Sequence, residues 1–373
     1  MFAAKSHFKK AAMADLKYGE YLCLEKLLTA QDLRSEESGN PAHDEMLFII
    51  THQAYELWFK QILTEVNSVL EIFQGDVLDD KKIGTVNSRL ERIVTIQRVL
   101  VHQVDIIETM TPLDFLEFRD LLVPASGFQS LQFKKIEIIL GLKKSNRIPA
   151  DRDFFRTRLE SRERVELEDL ESQPSLYQLV ENWLARIPFL EFKDFDFWKA
   201  YQSAVIEMFE SEKEIITSNT SLSETEKQFQ LGALNQTVLG FEVLLDKEHP
   251  DRFEEADLFQ MSQRAVLAAL FIRLYRDEPI LFVPFKLLTN LVEIDELWTT
   301  WRQRHAIMVQ RMLGTRIGTG GSSGHQYLKK TTESNRFFGD LFNLSSYLIP
   351  RSRLPELPGE VRQQLGFYFS AAD

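Results

Sequence analysis

Apolar residues recur three and four positions apart along most of this chain, and strand-like alternation is nearly absent. A chain patterned this way can bury its apolar stripes only by packing helix on helix. Leu47, Ile50, Ala54, Leu57 and Trp58 mark the first stripe, and Asn40-Pro41 supplies a cap and a first-turn proline. Together they predict a helix from there to about Phe73. A second helix is expected over 85–110, stopped by Pro112. Thr111 with Asp114 opens a third, and a turn at Pro124–Gly127 leads into a fourth over 128–142. More helices are expected near Leu176, over 195–216, after the capping box Ser223–Glu226, over 262–275, from Pro284 to about Leu313, and over 332–349. Residues 151–171 carry 13 charges of both signs in 21 positions, which reads as a solvated connection or a short hairpin. The fold class is all-α, a helical bundle in one main domain spanning 1–373.

A chain of 373 residues buries roughly three quarters of its unfolded surface, enough for a large core or a cofactor cavity. The net charge of -12, with no basic stripe, argues against a nucleic-acid partner. Cys23 is the sole cysteine, so an intrachain disulfide and a cysteine-built zinc site are excluded. Without a Cys-x-x-Cys-His motif, c-type attachment of haem is excluded too. No apolar run approaches the ~20 residues of a membrane span, and the basic segment Met1–Lys10 is not followed by an apolar core of a secretory signal. The expectation is a soluble cytoplasmic protein with no membrane partner.

Two of the seven histidines sit inside long apolar helices. His305 has Trp301 one turn before it and Met308 and Met312 after it. This suits an axial ligand offered from a helix to a flat macrocycle; a buried histidine bonded to a neighbour fits the same pattern. His52 has Phe48 one turn before and Glu56 one turn after, with Tyr55 and Phe59 nearby. Positions i and i+4 share a helix face, so Phe48 and His52 form an aromatic wall with one polar group, or a piece of ordinary core. Phe115 and Arg119 repeat that spacing. Arg119 is suited either to a carboxylate ligand held by a bidentate fork or to a structural ion pair. Residues 318–324, GTGGSSG, hold four of the sixteen glycines and form a loop. They lack the Gly-Lys-Ser/Thr ending of a phosphate loop, which leaves a lid around a ligand or a plain connection. A zinc-protease His-Glu-x-x-His, paired Glu-x-x-His motifs and a Gly-x-Ser-x-Gly elbow are all missing.

The longer strings are more specific. The run His43–Lys60, HDEMLFIITHQAYELWFK, resembles the signature helix of the tryptophan 2,3-dioxygenase family. Glu108–Leu113 (ETMTPL), Phe115, Arg119 and Pro124–Gln132 (PASGFQSLQ) resemble its second block. Trp301, His305 and Gly318–Gly324 resemble its third, and Asp340–Arg351 (DLFNLSSYLIPR) its closing segment. The resemblance runs in order over about 17–351. It departs at His325-Gln326-Tyr327, where family members often carry Tyr-His-Tyr.

The resemblance implies a helical bundle enclosing one b-type haem per subunit, with an extra helical subdomain at about 200–275. It implies that His305 ligates the iron and that Ser126, Gly127, Trp301 and Gly320 border the haem. His52, the catalytic residue, would accept a hydrogen bond from the indole N–H, as a base or only to orient the ring; Phe48 would pack on the indole and Phe115 would line the pocket. Arg119 would bind the substrate carboxylate and Thr319 its ammonium group. Tyr18 and Tyr21 would reach a neighbouring subunit's pocket in a homotetramer. The implied reaction joins both atoms of O2 to the indole C2–C3 bond of L-tryptophan, giving N-formyl-L-kynurenine at the head of the kynurenine pathway. Two alternatives stand beside it: a related haem monooxygenase acting on a tryptophan derivative, and a haem-binding protein without turnover.

Overall fold

In a computed structural model, the chain is described over residues 16–75, 78–125, 127–142, 159–187, 196–314, 316 and 324–365, all helix and connection with no strand among them. After short N-terminal turns, helix α1 runs Asp44–Phe73 and α2 Asp80–Ile107. Helix α3 is Pro112–Phe118, α4 Leu131–Leu140, α5 Ser161–Glu171 and α6 Leu176–Ala185. Helices α7 (Phe197–Ser218), α8 (Glu224–Leu245) and α9 (Gln263–Leu274) follow, then the longest, α10 (Pro279–Leu313), and α11 (Gly324–Ser334).

Local chemistry explains many of these boundaries. The Asp79 carboxylate accepts the Lys82 N–H at the start of α2, and Thr111 and Asp114 form the expected capping box of α3. Ser130 caps α4, and Ser175 and Ser223 form capping boxes on α6 and α8. Helix α4 ends at Gly141 with φ +117°, and a Cβ there would lie 2.6 Å from that of Tyr177. Only glycine permits this close passage of α4 against α6.

Four expectations are corrected. Helix α1 begins at Asp44, three residues after the expected start. The Glu45 carboxylate accepts the N–H groups of Arg34 and Ser35 at 2.9 Å each, and the Ser35 hydroxyl accepts the Ala42 N–H, so residues 40–43 are held by tertiary bonds. Pro284 lies within α10, and Pro279 occupies the first turn. The proline ring near a helix start removes only one intrahelical bond, to the carbonyl of Ile280. The described part of the charged stretch is helix α5, capped through Glu160 and Glu163; residues 151–158 lie outside the described set. The single helix expected over 332–349 is broken. Buried Asp295 on α10 accepts the Phe337 and Phe338 N–H groups, and Arg302 donates to the Asn335 carbonyl at 2.7 Å, which draws the chain out of helix after Ser334.

Helix α10 packs along α2 at the centre, and α2 in turn along α1. Polar side chains key it in place: Asn87 donates to the Val283 carbonyl at 3.0 Å and Gln97 to the Ile294 carbonyl at 3.1 Å. One cluster of buried apolar side chains runs from Phe59 to Leu365, and a smaller one joins Ala42, Met110, Phe118 and Met312 near the α10 end. No helix among the described residues is long and apolar enough to cross a membrane.

The Asp340 carboxylate gathers the Tyr177 hydroxyl at 2.7 Å and the N–H groups of Gln260 and Met261 at 2.9 and 2.7 Å. Asp340→Ala strands all three donors and is expected to lower stability by about 3 kcal/mol or more. Chemical denaturation followed by circular dichroism measures it; an unmoved midpoint would show that Asp340 does not hold these segments.

Candidate active site

Six parts of the chain converge on one cavity of about 280 Å³, α2 among them through Val104 and Ile107. Helix α1 contributes Phe48, His52 and Glu56 from successive turns of one face. Helix α3 and the turn after it contribute Phe115 and Arg119. The segment entering α4 brings Gly127, Ser130 and Phe133. Helix α10 brings Trp301, Arg302 and His305, and α11 brings Leu328 and Thr331.

The aromatic wall is continuous. Phe48 lies 4.2 Å from the His52 ring, 5.7 Å from Phe115 and 5.6 Å from Phe118, centre to centre. Phe118 is fully buried and backs this wall. On the α10 side, Trp301 stacks on His305 at 5.2 Å with planes 30° apart, and Phe133 meets Trp301 at 5.2 Å.

The two histidines are prepared differently. His52 Nδ1 lies 2.7 Å from the Phe48 carbonyl. A carbonyl only accepts, so Nδ1 carries the proton and donates it. Burial pushes the His52 pKa down, against smaller opposing effects of that hydrogen bond and of the Glu56 charge. The ring is therefore neutral, with Nε2 an unprotonated acceptor. His305 borders the cavity, so its ring is only partly covered, yet its Nδ1 is sealed from solvent and has no hydrogen-bond partner among the described residues. Burial, and secondarily the nearby His52, push its pKa down to about 4. A neutral imidazole is the form that ligates a metal.

The charged residues of the lining are held by neighbours. The half-buried Arg119 bonds the exposed Asp120 at 3.3 Å. Buried Glu137 pairs with Arg302 at 3.1 Å and Lys134 at 2.9 Å. Among the described residues no group of three or more His, Cys, Asp or Glu is placed to hold a metal ion.

Seven residues singled out from the sequence therefore come together: Phe48, His52, Phe115, Arg119, Gly127, Trp301 and His305. Ser126, Thr319 and Gly320 lie outside the described residues. Tyr18 and Tyr21 sit on a short N-terminal helix, 75% and 71% exposed, away from this cavity. Sequence reading overlooked Ser130, Phe133, Lys134, Glu137 and Arg302. The charged three had a faint signal, charges set within otherwise apolar helical stretches.

This is an all-helical protein built around an aromatic-walled pocket with a metal-competent histidine on one helix and an oriented acceptor histidine on another. The sequence profile of the tryptophan 2,3-dioxygenase family matches residues 3–348. A tryptophan 2,3-dioxygenase of Alteromonas mediterranea is 52% identical over 94% of this chain and 97% of its own length. Those of Bdellovibrio bacteriovorus and Rattus norvegicus are 47% and 46% identical, over 94% and 95% of this chain and 98% and 87% of theirs. The chain belongs to the tryptophan 2,3-dioxygenase family.

Phe118→Ala removes the ring behind Phe48 and Phe115 and is expected to cost about 3–5 kcal/mol. Denaturant unfolding tests this, and a loss under about 1 kcal/mol would mean the wall is not packed as described.

Proposed function

We propose that this chain catalyses the reaction of its family, the haem-dependent oxidative cleavage of the indole C2–C3 bond of L-tryptophan by O2. The product is N-formyl-L-kynurenine, and the reaction is the first step of tryptophan breakdown by the kynurenine pathway. The observation that carries the reading is the convergence of His52, Arg119 and His305, from separate helices, on one aromatic-walled cavity.

The residues present fit a haem. His305 is neutral, has Nδ1 without a described partner and stands against the flat face of Trp301, with Met308 and Met312 also lining the cavity. His305 would hold the iron, and Gly127 and Trp301, with Ser126 and Gly320, would border the macrocycle. Haem, when bound, supplies the activation of O2 and the oxidation chemistry.

What the chain contributes is placement. The Arg119 guanidinium takes the tryptophan carboxylate, and Thr319 the ammonium group. Phe48 and Phe115 pack on the indole, and His52 Nε2 accepts its N–H. The ring is thereby held in one orientation, which converts a bimolecular encounter into an effectively intramolecular one. A neutral His52 orients the indole without having to remove its proton. The apolar walls exclude water from the reacting edge. The same reading makes the protein a cytoplasmic homotetramer in which Tyr18 and Tyr21 complete a neighbour's pocket, and makes residues 200–275 an added helical subdomain.

The test is turnover of the haem-loaded, reduced protein with L-tryptophan and 18O2. N-formylkynurenine carrying both labelled atoms is expected; product with one label, or a haem spectrum without product, would overturn the dioxygenase reading. His305→Ala is expected to abolish the native haem spectrum, and unchanged tight binding would remove His305 as ligand. Arg119→Ala is expected to lower kcat/KM by a factor of about 10 to 1000, the loss of a charged hydrogen bond and its counterpart's pairing. Wild-type kinetics would remove the carboxylate role.

A further inference from the structure

Glu56 borders the cavity but has no part in the reaction described above. Its carboxylate faces the segment that forms the opposite edge. One oxygen accepts the Ser130 hydroxyl at 2.6 Å and the other the Gln132 amide at 2.8 Å; the same amide also donates to the Glu56 backbone carbonyl at 2.8 Å. These bonds cross 74 and 76 residues of sequence. They tie α1, one turn beyond His52, to the entry of α4.

Ser130 is itself the cap of α4, accepting the Phe133 N–H at 3.2 Å. A hydroxyl has one hydrogen, and giving it to Glu56 leaves the lone pairs for the cap. Glu56 therefore sets the rotation of the capping hydroxyl and, through it, where α4 starts. The next turn places Phe133 against Trp301 at 5.2 Å, Trp298 at 5.4 Å and Phe59 at 5.6 Å, and Trp301 stacks on His305. Short contacts thus run from one carboxylate to the ring proposed as the iron ligand.

We propose that Glu56 is a positioning residue: it clamps the 127–133 wall to α1 and, through Phe133 and Trp301, fixes the orientation of His305 toward the cofactor. The inference rests on the haem reading above. Glu56 touches neither reacting atoms nor substrate. Its two oxygens act as paired charged acceptors; glutamine offers only one, so with its oxygen toward the Gln132 amide its nitrogen would donate to the Ser130 hydroxyl, reversing that bond and removing the charge from both.

The experiment compares haem-loaded wild type, Glu56→Gln, Glu56→Ala and Ser130→Ala. Haem release is timed by transfer to excess apomyoglobin, the iron–histidine stretch of the ferrous protein is read by resonance Raman, and hydrogen exchange is followed over 127–135. Loss of charged hydrogen bonds predicts release faster by about tenfold or more in both Glu56 variants. It also predicts a shifted or broadened iron–histidine band and faster exchange in the segment. Ser130→Ala, which keeps the carboxylate, moves all three readouts the same way by less and serves if the Glu56 variants fail to fold. Unchanged release and an unchanged band in folded variants overturn the proposal, even where melting temperature falls. So does an effect confined to the pH dependence of kcat/KM, which would make Glu56 an electrostatic neighbour of His52. Wild type that takes up no haem overturns the underlying reading instead, and the two failures are thereby distinct.

Discussion

A guanidinium taken out of water must meet an anion, and in this molecule that requirement holds the centre together. Arg302 is 2% exposed. It reaches Glu137 on α4 and the Asn335 carbonyl at the end of α11, while Lys134 approaches the same carboxylate and Asn335 donates to it at 3.3 Å. Three segments distant in sequence are joined at one point. Arg302 lies three residues before His305, so the pairing fixes the rotation of α10 at the place where that imidazole faces the cavity. A rotation of one residue step would break the pair and turn the imidazole away together.

The cavity is divided accordingly. Apolar and aromatic side chains make up most of its lining, and of its ionic groups Arg119 meets Asp120, Arg302 and Lys134 meet Glu137, and Glu56 meets neutral donors. In such surroundings both histidines lose protons rather than gain them, since burial penalises the charged form. One feature, the exclusion of water by close helix packing, thus shapes the pocket and fixes the protonation of its two imidazoles.

Much of this was legible in the chain. Caps at Thr111 and Ser223 act within a single turn, so local chemistry announces them. The shared face of Phe48, His52 and Glu56 follows from helix geometry alone. Errors fell where tertiary bonds outweighed local signals. The cap at Asn40-Pro41 lost to the Glu45 carboxylate reaching back to Arg34 and Ser35, and the expected final helix lost to Asp295 capturing two N–H groups. That His52, Arg119 and His305 meet could be foreseen only from the family resemblance, because spacing along a helix says nothing about which other helix it faces. Arg302 and Glu137 look like surface charges until their 165-residue separation is closed by folding.

The hydrogen bond from His52 to the Phe48 carbonyl joins two residues one turn apart on a single helix. The donor–acceptor polarity of the pocket's most discriminating atom is consequently written in four consecutive peptide units, with no distant partner to be kept in step. Remote helices can drift in composition, lengthen or be exchanged, and the lone pair that His52 presents keeps its address. A recognition element so self-contained is portable: grafted with its one turn of backbone onto another long helix, it would carry its tautomer along.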